Sequence, residues 1–259
     1  MEKTRAGIQS VEVGFTLLDA LSRAPGPLML RDLAAAAGMS AAKAHRYLVS
    51  FQRLGLVSQD GSTRYDLGPA ALKLGLAAIT RLDAVKLARE RMPALMEHIG
   101  HTLALAVWGN FGPTIVHWEE SPQSVTVNLR LGDVMPLLSS ATGRCFAAYV
   151  SREAIAPLLR EELARARQLG RTDLPRTQAD LTLMLRQVRE HGLARAVDSL
   201  LPGVAGFCAP VFDADGHLAL GVVSLGSSAT FDTDWQGAVA QPLREFARLL
   251  SADLGWRTP

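Results

Sequence analysis

The sequence predicts an α+β chain in two parts, a small winged helix-turn-helix followed by a larger domain of mixed helix and sheet. Three observations carry that expectation. The first 80 residues hold three helical patterns separated by glycines and followed by a hairpin signal. From about residue 83 the pattern changes to helices alternating with β-rich stretches. The length of 259 residues, 48% hydrophobic and 20% charged, suits two globular cores of about 100–150 residues each.

Taken in order, Ile8, Val11, Phe15, Leu18 and Leu21 recur every three or four positions and read as the inward stripe of a first helix, with Ser10 as its N-cap. Pro25-Gly26-Pro27 ends it. A second helix is expected over 31–37, where Leu33 and the alanines pack closely, and Gly38 supplies the left-handed stop. Ser40 caps a third helix reaching about residue 54, with Ala44, Leu48, Phe51 and Leu54 facing inward and Gly55 closing it. Residues 56–59 and 64–67 alternate as short strands across Asp60-Gly61, a dipeptide suited to the positive φ of a hairpin turn. Pro69 opens a fourth helix through Leu72, Leu76 and Ile79, too apolar to lie free in water.

Beyond it, Asp83 caps a helix to residue 99, and strands are expected at 103–108, 114–119 and 125–129. A helix follows at 142–149, and two more start from Ser151 and from Thr177, the latter with Asp180 as a capping partner. Strands at 193–197, 207–212 and 218–224 come next, the last two joined across 213–216, and a final helix over 234–254 covers one face of the sheet. The expected boundaries are 1–68 for the winged unit, 69–82 for a linker helix and 83–259 for the second domain.

Several functions are disfavoured. Cys145 and Cys208 lie far apart, without the spacing of a disulfide framework or a thiolate zinc site. His98 and His101 have no acidic or thiol cluster around them, so neither metal nor cofactor is expected. No apolar run is long enough for a membrane span and the start lacks a signal-peptide pattern, which makes the expected location cytoplasmic. Residues 1–80 carry nine basic against six acidic side chains and the remainder is slightly acidic, a bias that favours a polyanion at the N-terminal end.

A helix, glycine turn, helix and hairpin let one helix enter a major groove about 12 Å wide while the hairpin reaches the flanking backbone. The outward face of the third helix holds Ala41, Ala42, Lys43, His45, Arg46 and Ser50 next to Ser40. Lys43, His45 and Arg46 are the candidate base readers, and the two alanines permit close approach. Arg53, Arg64 and Lys73 suit phosphate contacts. The competing reading is a helical subdomain whose cations merely solvate a face.

Three segments, GIQSVEVGFTLLDAL, LMLRDLAAAAGMSAAKAHRYLVSFQRLGLVSQDGSTRYDLGPAALKLG and GVAGFCAPVFDADGHLALGVVSLG, together resemble the IclR family of bacterial regulators. The resemblance spans nearly the whole chain and is loose only over 150–190. It implies a winged helix-turn-helix, a linker helix used in dimerisation and a GAF/PAS-like effector domain. It also implies double-stranded operator DNA and a small-molecule effector as partners, with assembly as a homodimer or a dimer of dimers.

The same resemblance implies that the effector, an organic acid or aromatic catabolite, lies between the sheet and the first turn of the helix after Leu131 to Pro136. Free N–H groups at that turn attract a carboxylate, and Ser139, Ser140 and Thr142 add hydroxyls beside Ala141. The plain alternative is that Ser139 or Ser140 only caps the helix. Met135, Asp198, Gly206 and Cys208 complete the expected walls. This sequence departs from the family in a shortened, less acidic 198–202 connection and in Gly206, which has no side chain, a combination that favours an effector bulkier or less polar than glyoxylate-like acids. Trp108, His117 and Trp118 sit on strands that can face the same pocket, though core packing is the commoner fate of such residues. Two other functions remain to be weighed: a constitutive DNA-binding protein whose second domain only oligomerises, and a serine-dependent hydrolase using Ser139 or Ser140 with His117. The hydrolase reading lacks a nucleophile-elbow motif and leaves the N-terminal third unexplained.

Overall fold

The computed structural model describes residues 7–79, 83–122 and 129–257. The chain divides into two compact units between residues 82 and 83. The first contains α1 (Gln9–Arg23), α2 (Leu30–Ala36), α3 (Ala41–Arg53), β1 (Val57–Gln59), β2 (Tyr65–Leu67) and α4 (Pro69–Ile79). Its core is Leu17, Leu21, Leu33, Ala44, Leu48, Val57 and Tyr65, none more than 4% exposed. Burial of each leucine contributes about 1.5–3 kcal/mol. Gly38 and Gly55 hold the left-handed conformations that stop α2 and turn the chain after α3.

Four expectations need correction in this unit. α1 starts at Gln9 with Ile8 at its N-cap and no side-chain cap, so Ser10 lies inside the first turn. The inward stripe of α1 is Gly14, Leu17 and Leu21, while Ile8, Val11 and Phe15 are 63–71% exposed. Gly14 sets that rotation, because a Cβ there would lie 3.0 Å from the rings of both Tyr47 and Phe51 on α3. Leu54 is also outside rather than inward, since α3 ends at Arg53 and the chain turns away at Gly55. In the hairpin the positive φ falls on Thr63, not Gly61. The Asp60 carboxylate organises that turn by accepting from the Ser62 N–H, the Ser62 hydroxyl and the Arg64 N–H, and these bonds hold its carboxyl below the ordinary range.

The second unit comprises α5 (Ala84–Ile99), β3 (Thr102–Gly109), β4 (Gly112–Glu119), α6 (Ala141–Tyr149), α7 (Arg152–Gln168), α8 (Gln178–His191), β5 (Ala194–Val197), β6 (Val204–Phe212), β7 (Leu218–Ser227) and α9 (Ala240–Asp253). The five strands form an antiparallel sheet in the order β4-β3-β7-β6-β5. α5 and α9 cover one face through Met92, Leu105, Phe207, Val222 and Leu243. α6 covers the other through Cys145 and Phe146, which meet Ala104, Ala106, Cys208 and Val223. A further apolar cluster joins Leu137 and Leu138 to Ile155, Leu159 and Leu163 of α7 and Leu181 of α8.

Caps explain where these helices begin. Asp83 accepts from the Lys86 N–H, Ser140 from Gly143, and Thr177 with Asp180 forms a reciprocal capping box. α9 starts six residues later than the sequence predicts. Asp232 and Asp234 instead accept N–H groups of Asp234, Gln236 and Ala238, which commits 232–238 to turns. Of the strand expected at 125–129, residues 125–128 lie outside the described residues and Leu129 is not in a strand. No helix among the described residues is long and apolar enough to cross a membrane.

Candidate DNA-binding and effector sites

Ser40 accepts from the Lys43 N–H at 3.4 Å and so fixes where α3 begins. With Ala44 and Leu48 fully buried, the helix periodicity turns Ala41, Ala42, Lys43, His45, Arg46 and Ser50 outward, all of them exposed. Among the described residues none of Lys43, Arg46 and Arg53 forms an ion pair. A shallow recess beside this face is lined by Ser10, Ala42, Lys43, Arg46, Tyr47 and Ser50. The Gln52 side chain donates to Gln59 of β1, tying α3 to the hairpin, where Arg64 is exposed next to the turn. The result is a wet, cationic helix face with small residues at its start, beside a hairpin of the same unit.

At α6 the geometry is different. The Ser140 hydroxyl donates to the Pro136 carbonyl at 2.7 Å and accepts from the Gly143 N–H at 2.8 Å, so Ser140 is fully engaged as a cap. The Ala141 and Thr142 N–H groups have no partner among the described residues. Gly143 lets the helix close on the preceding loop, since a Cβ there would lie 1.9 Å from the Pro136 carbonyl oxygen. Two residues with no role assigned from sequence hold this region. The Glu162 carboxylate on α7 accepts from the Leu137 and Leu138 N–H groups at 2.7 and 2.9 Å, and its carboxyl is raised by burial against the pull of those bonds. Arg144 donates to the Leu138 and Arg195 carbonyls and the Ser199 hydroxyl, and burial pushes it down to about 10, still charged at neutral pH. The sequence signal for Glu162 was its place beside Leu159 and Leu163 on the inward stripe of α7.

The expected effector residues only partly converge. Met135, Ala141 and Cys208 meet in the cluster between α6 and the sheet, and Gly206 pairs with Leu225 of that same cluster. The floor at Gly206 is closed: a Cβ there would lie 2.9 Å from the Ser224 carbonyl oxygen. Trp108 packs into the core, stacked on Phe146 at 6.2 Å. His117 pairs with Leu105, which faces α5 and α9, and contacts Glu119 at 3.3 Å, so it lies on the sheet face away from α6. A bulge between Leu105 and Ala106 shifts the register along β3 and β4, which a strict alternation could not anticipate. Asp198 is exposed, adopts φ +52° and accepts from the Gly203 N–H, closing its own turn.

A cavity of about 470 Å³ lies next to these residues, between the 134–139 loop and α7. Met135 and Ser139 line it, joined by Leu158, Glu162, Arg165 and Leu169 of one α7 stripe and the segment just after it. Among the described residues one group could hold a metal, Asp213, Asp215 and His217 at the exposed β6–β7 turn, but the Asp213 carboxylate already accepts two N–H groups there.

Residues 10–61 match the IclR helix-turn-helix domain, and residues 76–252 match the family described as bacterial transcriptional regulator IclR C-terminal. Among solved structures, HmgR of Pseudomonas aeruginosa is 37% identical with a TM-score of 0.88, covering 96% of this chain and 99% of that one. Among curated proteins, the glycerol operon regulatory protein of Streptomyces griseus is 31% identical, covering 96% of this chain and 97% of its own length. An IclR homologue from Microbacterium hydrocarbonoxydans, solved in complex with 4-hydroxybenzoate, is 16% identical with a TM-score of 0.57 over 95% of this chain and 98% of that one, a likeness of fold alone. With both halves matching in order and the C-terminal match spanning most of its length, the chain belongs to the IclR family of bacterial transcriptional regulators.

Proposed function

We propose that α3 reads double-stranded operator DNA and that a small molecule held in the C-terminal unit controls that binding. The observation that carries the reading is the exposed face of α3, where Lys43, His45 and Arg46 stand around a Ser40-capped start with no acidic partner among the described residues for its cations. Unpaired cations on a helix of groove-sized width are matched by phosphates and base edges. Arg53 and Arg64 serve the flanking backbone. The protein works as a dimer through α1 and α4, whose Ile8, Val11, Phe15, Leu72 and Leu74 are all more than 60% exposed and would be left wet in a monomer.

The effector is a small organic acid or aromatic catabolite, and the 4-hydroxybenzoate bound by the Microbacterium relative supports that class. Enzymatic use of Ser139 or Ser140 draws no support from the fold, because His117 lies on the opposite face of the sheet. The test is fluorescence anisotropy on the DNA upstream of the protein's own operon, with and without a panel of small acids and phenols. Operator binding that shifts at least tenfold with one of them supports the reading. Absence of specific DNA binding removes it, and binding indifferent to every compound favours a constitutive regulator.

A further inference from the structure

Ala44 and Leu48 of α3 are fully buried in the core of the N-terminal unit, and Tyr47 and Phe51 pack against that core. A helix turns by about 100° per residue, so the line opposite this stripe carries Ala42, Arg46, Val49 and Arg53. His45 stands on one margin of the line, and Lys43 and Ser50 on the other. Its cations already have a reading, as contacts to base edges and phosphates. Its two aliphatic members do not. Ala42 is exposed and Val49 is half-buried, and among the described residues neither belongs to an apolar cluster or packs against one. Valine is also a poor residue for an outward helix position, because its branched side chain loses rotamer freedom against the preceding turn.

A line that alternates aliphatic and cationic side chains has a definite complement in a major groove. Base edges there offer hydrogen-bond donors and acceptors and a single apolar group, the 5-methyl of thymine. Arginine matches the O6 and N7 acceptors of guanine, whereas an aliphatic side chain can select only that methyl.

We propose that Ala42 and Val49 are specificity-determining residues, each covering a thymine 5-methyl, on either side of the base pair met by Arg46. A rise of about 1.5 Å per residue sets them about 10 Å apart along α3, which is about three base-pair steps of about 3.4 Å. Each half-site therefore carries two thymines about three steps apart, on either strand, with the Arg46 base pair between them. Ala42 stands in the first turn beside the Ser40 cap, where a recognition helix comes nearest to the bases, so one methyl suffices. Val49 lies two turns further on and reaches out with two. The inference rests on the reading of α3 as the helix that enters operator DNA, and it names what that helix recognises there.

The experiment is fluorescence anisotropy of the full chain on the upstream DNA segment that it protects, with thymines replaced one at a time by deoxyuridine. The exchange deletes the 5-methyl and leaves base pairing unchanged. The expected result is two positions per half-site, about three steps apart, where it weakens binding about fourfold, the worth of one methyl removed from water. Val49→Ala should abolish the penalty at one of them and Ala42→Gly at the other, each leaving the second penalty in place. The melting temperature of the Val49→Ala chain should hold or rise, because alanine suits an outward helix position better than valine. Indifference of the native chain to every exchange overturns the inference with no variant needed. Either assignment falls if its own variant keeps both penalties, and a Val49→Ala chain that fails to fold makes Val49 a packing residue and removes it from the site. Absence of any specific DNA binding removes the reading of α3 and this inference with it, whereas specific binding that ignores the methyls removes the inference alone.

Discussion

In the N-terminal unit Lys43, His45 and Arg46 project from α3 into solvent, the two formal cations without ion-pair partners among the described residues, whereas in the C-terminal unit Ser140, Arg144 and Glu162 around α6 are half-buried or buried and each is bonded within the fold. Under the proposed function, the contrast follows from where each ligand would meet the protein. A surface that meets a large polyanion can stay wet and unpaired, because water satisfies it until the phosphates arrive. A site inside a domain has to satisfy its own polar groups while empty, and among the described residues beside α6 the Ser139 hydroxyl and the Ala141 and Thr142 N–H groups are left without a hydrogen-bond partner.

The largest effect that sharpens this comparison comes from cutting beneath the α3 face rather than on it. Leu48 is fully buried, and Leu48→Ala should cost about 2–5 kcal/mol in urea unfolding and take DNA binding with it. The exposed pair Lys43→Ala with Arg46→Ala should alter stability by no more than about 0.5 kcal/mol. Next is Gly143→Ala, whose added Cβ would sit 1.9 Å from a backbone carbonyl oxygen and should cost about 1–3 kcal/mol or more. Hydrogen exchange should quicken around α6 while the amides of α3 keep their protection, and equal loss in both units would break the division drawn between them.

Smaller again are the two caps. Thr177 and Asp180 form a reciprocal box with bonds of 3.0 to 3.1 Å, while the single Ser40 bond measures 3.4 Å. Thr177→Ala should therefore cost about 1–2 kcal/mol and Ser40→Ala about 0.5 kcal/mol by thermal unfolding. The smallest effect is a pH slope. Burial raises the folded carboxyl of Glu162 above its ordinary value, so its contribution to stability is fully present below about pH 4.5 and is lost as pH rises through the raised folded value. Glu162→Gln cannot titrate, so the stability gap between the native chain and this variant should narrow in urea titrations from pH 4 to pH 7. A gap that widens would mean that the two N–H bonds outweigh desolvation.

Much of the DNA-reading unit was legible in the sequence because it depends on local signals. A serine before a helix and glycines after helices act within four residues of themselves, and α3 emerges with its cap and its outward face as expected. The misassigned rotation of α1 has a tertiary cause, the close approach of Tyr47 and Phe51 at Gly14 on a helix that carries two apolar stripes. The effector region was less legible for the same reason on a larger scale. Glu162 acts 25 residues from Leu137, and Arg144 acts 55 residues from Ser199. The bulge in β3 and β4, which places His117 on the far face, leaves no mark in composition or spacing.

The claim that joins these observations is that the exposed face of α3 meets DNA, and its most direct test is the salt dependence of operator affinity for the native chain and for Lys43→Ala with Arg46→Ala. Each phosphate contact adds close to one unit to the slope of log affinity against log salt, and each base contact is worth about 1–3 kcal/mol. The account predicts that the double variant, with its melting transition intact, binds the operator at least tenfold more weakly and with a salt slope shallower by about one to two for each bound chain. A folded double variant with unchanged affinity and unchanged slope would contradict it.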